Sequence, residues 1–301
     1  MNRPAPRSID QYLSQLRDSL KGEDPALIQD ALYDAEEYLR AELGQHPGKT
    51  EADVLELIAS TYGAPDEVAE AYRTTEKTVR AALKAPEPRP NRGALARFFG
   101  VFTDSRSWMA LFYMLLSLVT GIFYFVVTVT GLSLSVGLGV LVIGIPFFLL
   151  FVGFTRVLSL VEGRIVEGLL GVRMPRRPVR SAQGMPLGTR IKDMLVDRRT
   201  WTTMLYLLLM LPLGILYFIV AICMVATSIG LIAAPFAPLL QFFGVQDAGL
   251  QIDDWSLPWP ATLPLALFGV LLLTVFLHAA RGLAAVHGEL ARALLLSRDA
   301  E

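Results

Sequence analysis

The sequence is poor in the residues from which most catalytic and metal sites are built. Its 301 residues include one cysteine and three histidines. A lone Cys223 excludes a disulfide framework and any cysteine-rich zinc site. Charge is scarce too, at 18% Asp, Glu, Lys and Arg, against about 25% in soluble chains. Residues 107–155 and 200–246 contain no charged side chain at all. With 53% hydrophobic residues and a mean hydropathy of +0.47, disorder and an ordinary water-soluble enzyme are excluded. A bilayer core takes about 20 apolar residues per helical crossing. The chain therefore reads as a multi-pass membrane protein.

The first long apolar run begins only near Trp108, after a charged amphipathic stretch. No signal peptide is expected, and the first span should act as its own insertion signal. Residues 1–84 read as a small soluble bundle of four helices. The first, 9–21, carries Ile9, Tyr12, Leu13, Leu16 and Leu20 at helical spacing, with Ser8 and Gln11 placed for a capping box. The second, 25–43, has Asp24 as cap and Pro25 at its first position, and Gly44 is expected to end it. A third follows Thr50 and stops by Gly63, and a fourth opens at Pro65 with Asp66 and Glu67 in its first turn. Between Ile9 and Arg80 sixteen acidic residues face seven basic ones, so the bundle is acidic. Residues 85–103 read as a basic linker, with Pro86, Pro88 and Pro90 excluding regular helix through 84–97.

The remaining residues, 104–301, contain an internal repeat covering about 104–173 and 197–298. Asp104-Ser-Arg106-Ser-Trp108 recurs as Asp197-Arg-Arg199-Thr-Trp201. At the same offset Tyr113 matches Tyr206, Gly121 matches Gly214, and Tyr124-Phe125 matches Tyr217-Phe218. Residues 156–173 parallel 281–298, aligning Val161-Glu162-Gly163 with Val286-His287-Gly288. Each half is one unit of charged leading segment, two spans and amphipathic exit helix. The spans are expected at about 108–129, 134–154, 201–225 and 261–280, with a short turn at 131–139. In the second half an insertion at 229–260 replaces that turn. Its segment 229–243, broken by Pro235 and Pro238, should be re-entrant or interfacial, ahead of the acidic Asp247, Asp253 and Asp254. Between Arg173 and Arg199 eight basic residues oppose two aspartates. Basic loops stay in the cytoplasm. Both termini and the central loop should therefore face inward, the insertion outward, and the two repeats should be parallel.

Candidate sites follow from the repeat and the charges. Asp104, Arg106 and Trp108, with Asp197, Arg199 and Trp201, suit an interfacial anchor of helix cap, phosphate contact and headgroup-level indole. The alternative is that the two copies meet and bind a ligand or transmit motion. Tyr124 and Tyr217 follow Gly121 and Gly214 by one turn and suit helix packing or a ligand pocket. Spans without ionisable residues disfavour a proton pump or ion channel. His278 and His287 lie too far apart for ligands on adjacent helical turns, so no metal, cofactor or catalytic residue is assigned. The exit helix at 156–171 sets Val157, Val161, Ile165 and Leu169 on one stripe, suited to the inner membrane surface or to its repeat partner.

Two resemblances rest on these residues. Tyr12-Leu13, the run Glu36-Glu37-Tyr38-Leu39 and Tyr62-Gly63-Ala64-Pro65-Asp66-Glu67-Val68-Ala69 resemble the HAAS family of small helical bacterial domains, with Ala64 in place of that family's polar cap. Gly121-x-x-Tyr124-Phe125, Gly131-Leu-Ser-Leu, Gly144-Ile-Pro146 and the Asp197-to-Trp201 motif resemble the four-helix transmembrane sensor domain found in front of many bacterial histidine kinases. The second resemblance implies a membrane sensing module without kinase activity, since the sequence stops at Glu301. The first implies a soluble regulator of PadR type as a partner.

The expected architecture is all-α: a small cytoplasmic bundle plus a polytopic membrane domain, in a bacterial inner membrane. The leading function is a non-enzymatic sensor or regulator that signals through the bundle to a protein partner. The alternative is an accessory or core subunit of a small-molecule or lipid transport system. An intramembrane enzyme is disfavoured, because no nucleophile, base or metal set is visible. Membrane lipid is a partner and nucleic acid is not, while homo-oligomerisation stays open. The acidic bundle is expected to dock on the basic loop through Arg176, Arg177 and Arg180, by complementary charge.

Overall fold

The computed structural model describes residues 5–83, 93–140, 144–177, 196–237, 243, 251–252, 255–256 and 259–296. Among these the protein is helical, apart from one antiparallel pair of two-residue strands, β1 (Gln251–Ile252) and β2 (Trp255–Ser256). By contacts it divides into two units. One comprises residues 1–85, 128–206 and 288–301, the other 86–127 and 207–287.

The helices of residues 9–83 form where local signals start them. α1 (Ile9–Ser19) opens at Ser8, whose Oγ accepts from the Gln11 amide at 3.2 Å. The Gln11 side chain turns instead to the Arg7 amide, at 2.8 Å, so the capping box is only half made. α2 (Pro25–Gln45) is capped by Asp24, which accepts from the Ala26 amide at 2.9 Å. It runs one residue past Gly44, where it had been expected to end. α3 (Glu51–Ile58) has a full reciprocal box between Thr50 and Asp53. Before α4 (Pro65–Leu83), Gly63 takes a φ of +96°, and the Glu67 carboxylate reaches back to the Ala64 amide at 3.1 Å. Glu67 thus makes the return half of a capping box, and the half that a polar side chain at Ala64 would make is absent.

These four helices close a core of their own, built from Ile9, Tyr12, Leu13, Leu16, Leu20, Ile28, Leu39, Leu55, Ile58 and Val68 among others. Two tyrosines tie it with hydroxyl bonds: Tyr12 to the Gly63 carbonyl and Tyr72 to Asp34, both at 2.9 Å. Among the described residues this cluster runs from Ile9 to Tyr72.

After the prolines a short α5 (Ala94–Phe99) and a 3-10 turn at Gly100–Thr103 form inside the stretch expected as linker. Ala-Leu-Ala-Arg-Phe-Phe lacks proline, and nothing prevents helix there. Four helices are long and apolar enough to cross a membrane: α6 (Ser105–Gly137), α7 (Gly144–Leu170), α8 (Arg198–Ala233) and α9 (Trp259–Leu295).

The expected boundaries need correction in three places. The turn at 131–139 is helical through Gly137, and the Ser135 hydroxyl bonds back to the Gly131 carbonyl at 2.6 Å. The second span therefore starts at Gly144 rather than Leu134. The exit helices are not separate, since α7 and α9 continue straight through 156–170 and 281–295. Residues 229–233 extend α8, which gives way to a 3-10 turn at Ala234–Phe236 around Pro235. Pro238, Asp247, Asp253 and Asp254 lie outside the described residues. Glycine fails to end these helices because an apolar environment offers an opened backbone no water to bond to.

Within the second unit α6 and α8 pack backbone to backbone. A Cβ on Gly121 would meet the Met210 carbonyl, and one on Gly214 would meet the Ser117 carbonyl. Gly121 and Gly214 are repeat equivalents, and so are Ser117 and Met210. Such close approach is what glycine contributes to helix pairs in membranes.

Candidate functional site: an arginine clasp and exchanged polar pairs

α7 ends at Gly171, whose φ of +72° stops the helix and turns the chain into an extended segment. Two residues later Arg173, only 8% exposed, meets three carboxylates. Its Nη2 donates to Asp30 of α2 at 3.0 Å, its Nε to Glu76 of α4 at 3.2 Å, and its Nη1 to Glu167 of α7 at 3.4 Å. The second oxygen of Asp30 accepts from the backbone amides of Arg176 and Arg177, at 2.6 and 2.8 Å. The Arg177 guanidinium pairs with Asp34 at 2.7 Å and lies over the Tyr33 ring, 5.9 Å from its centroid. Gln29 donates to the Arg177 carbonyl at 2.5 Å. Arg176 pairs with Glu167 at 3.0 Å. Arg180 lies outside the described residues.

Electrostatics fit this geometry. Burial works against the Arg173 charge, but Asp30, Glu76 and Glu167 more than offset it and hold the guanidinium above its ordinary value. Burial also pushes the Asp30 carboxyl up, against the pull of Arg173 and the two amides. On its other side the segment is seated by apolar groups: Met174 lies 3.5 Å from where a Gly163 Cβ would stand, and a Cβ on Gly288 would strike Val172. Gly163 and Gly288 are again repeat equivalents. A cavity of about 410 Å³ opens beside the clasp, lined by Leu27, Tyr72, Thr75 and Val79 together with the arginines.

Two further arginines reach α2. Arg199, at the start of α8, donates to the Gln29 side chain at 3.2 Å. Arg292, near the end of α9, donates to Asp24 at 2.9 Å. α2 and its capping Asp24 thus receive arginines attached to three of the apolar helices.

The other sequence candidates fall into an exchange between repeats. Asp104 caps α6 through the Arg106 amide and pairs with Arg281 at 3.1 Å. Asp197 caps α8 through the Arg199 amide and pairs with Arg156 at 3.3 Å. In each case the aspartate of one repeat takes the arginine of the other. Tyr113 and Tyr206 behave likewise: Tyr206 donates to the buried Glu162 at 3.0 Å, and Tyr113 bonds His287 Nε2 at 2.6 Å. Tyr217 meets the other imidazole nitrogen of His287 at 3.2 Å. Tyr124 is buried in α6. Trp108 and Trp201 are half-exposed, and the Trp108 indole donates to the Phe102 carbonyl at 2.9 Å. His278 bonds the Phe98 carbonyl at 3.1 Å.

Asp30, Glu76, Glu162 and Glu167 were not singled out as site residues from sequence, and His287 was weighed only as a metal ligand and set aside. In this part of α7 Leu158, Glu162 and Val166 are among the buried residues, whereas Val157 and Val161 of the stripe read as facing the membrane surface or the repeat partner are half-exposed. The alignment of Glu162 with His287 was the one available signal, since a divergent polar position inside a duplicated apolar helix has to be buried with a partner.

No curated protein and no solved structure matches this chain. Residues 113–295 take in α7, α8, α9 and most of α6, with Tyr113, Glu162, Tyr206 and His287, and over them the chain matches the Sensor family, described as "Putative sensor", to which it belongs.

Proposed function

We propose that this protein is a non-enzymatic bacterial membrane sensor that signals through its HAAS-like bundle to a cytoplasmic protein, with a regulator of PadR type as the candidate. The observation that carries this reading is the convergence on α2 of Arg173, Arg199 and Arg292, which follow or belong to α7, α8 and α9. A shift of any of these helices would pull on the same soluble helix. A ligand or lipid state in the membrane that favours one arrangement would bias how the bundle is held. The basic residues lie at the helix ends expected on the cytoplasmic side, and the closed apolar core of the bundle lets it act as a unit.

The test is capture of partners from native membranes by the tagged full chain and by a chain lacking residues 1–84. Partners lost with the bundle support the reading. An unchanged set of partners would overturn it.

A further inference from the structure

The segment 173–177 lies on α2 in the manner of a bound peptide. Gln29, Asp30, Tyr33 and Asp34 occupy successive positions on one face of α2, and Glu76 of α4 stands beside them. Together they take two guanidinium groups, two consecutive backbone amides and one backbone carbonyl. Toward the bundle these contacts are ion pairs and hydrogen bonds. Toward α7 and α9 the segment is fixed by Val172 and Met174 in the gaps left by Gly288 and Gly163. On the α7 side Glu167 adds ion pairs to Arg173 and Arg176. Salt and water compete with the ion pairs on both sides and leave the apolar seats of Val172 and Met174 intact. Separation at the polar side uncovers Gln29, Asp30, Asp34 and Glu76.

We infer that this face of α2 is a docking surface for an arginine-bearing extended segment of a cytoplasmic protein, and that residues 173–177 occupy it in cis as an internal competitor. Three carboxylates, Asp30, Asp34 and Glu76, set the sign of the occupant's charge. Anionic lipid and nucleic acid are repelled by them. The paired amides on Asp30 call for extended backbone rather than helix, because a helix interior has no free amides to offer. Planar guanidinium groups suit Arg173's three-way contact and Arg177's place over Tyr33 better than ammonium groups do. This inference rests on the sensor reading and names the chemistry of its partner.

The experiment uses the full chain in nanodiscs and a fluorescent peptide with the sequence of residues 172–179, followed by anisotropy at near-physiological salt. An internal competitor acts at an effective concentration in the millimolar range, so weakening it exposes the site. R173A/R177A is expected to bind the peptide about 10-fold more tightly than the wild type. Adding D30N/D34N should abolish that gain, and a peptide with lysine in place of arginine should bind more weakly. R177A alone, altering a half-exposed side chain, should show a smaller gain of the same sign if the double variant does not fold. Equal binding by the wild type and R177A, or binding indifferent to D30N/D34N, overturns the inference. Partner capture that depends on the bundle, together with absence of peptide binding, would refute the docking surface alone and leave the sensor reading standing.

Discussion

Tyr206 donates a hydrogen bond to Glu162, and its repeat equivalent Tyr113 bonds His287, the residue that aligns with Glu162. At aligned positions of the sequence a tyrosine thus meets a carboxyl in one case and an imidazole in the other. Glu162 and His287 are both essentially inaccessible to solvent, at 0% and 1% exposure.

Tyr206→Phe and Tyr113→Phe should each destabilise the protein by about 1–3 kcal/mol, the cost of leaving a buried polar group short of a partner. Thermal unfolding in detergent measures this. Two variants indistinguishable from the wild type would mean that neither pair supports the fold.

Gly121→Ala and Gly214→Ala should be destabilising by roughly 1–3 kcal/mol, because the added methyl meets backbone, which cannot swing aside as a side chain can. Gly137→Ala in α6 and Gly230→Ala in α8 have open space at the same atom. They should be neutral or stabilising by up to about 1 kcal/mol. Parallel melting curves of the four variants separate close packing from a general intolerance of alanine.

Alkaline pH should loosen the bundle before it affects the apolar helices. Burial pushes the Tyr62 phenol up to about 12, and it also raises Tyr72, which donates to Asp34, and Tyr12. In each the neutral phenol is favoured by the fold. The stability so gained is complete below the unfolded value of about 10 and is lost as pH rises through the folded values. Tyrosinate absorbance and helical signal should therefore change together above about pH 10. Tyrosines that all titrate near 10 with the helices intact would contradict this.

The topology can be read by labelling single cysteines in a Cys223→Ala background. Gln251→Cys should react from outside the cell, and Gln183→Cys only after permeabilisation. The reverse pattern would invert the membrane orientation and place the bundle on the wrong side for a cytoplasmic partner.

The helices of residues 9–83 were legible in sequence because their signals are local. Ser8, Asp24, Thr50 and Pro65 each mark a start that depends on neighbours within a few residues. The apolar helices were legible as four and wrong in extent at Gly131 and Leu134, where rules learned in water were applied to a segment with no water to compete. Sequence leaves the stripe of Val157 and Val161 open between the inner membrane surface and the repeat partner, and both valines are exposed while Glu162 is buried. In a membrane helix the apolar face can be the exposed one. Charge counting pointed to Arg176, Arg177 and Arg180 but passed over Arg173, because nothing in a count distinguishes a buried arginine from exposed ones. The repeat revealed which residues are equivalent, although equivalence alone does not say which of them touch.

The crossed ion pairs bear on how the apolar helices are held in register. Asp104 finds its arginine at Arg281 and Asp197 finds its own at Arg156, so α6 is tied to α9 and α8 to α7. Each aspartate is itself fixed to the start of its helix by a backbone amide. Sliding either couple by one helical turn, about 5.4 Å, would part the charges, so these pairs set the height of one helix against the other.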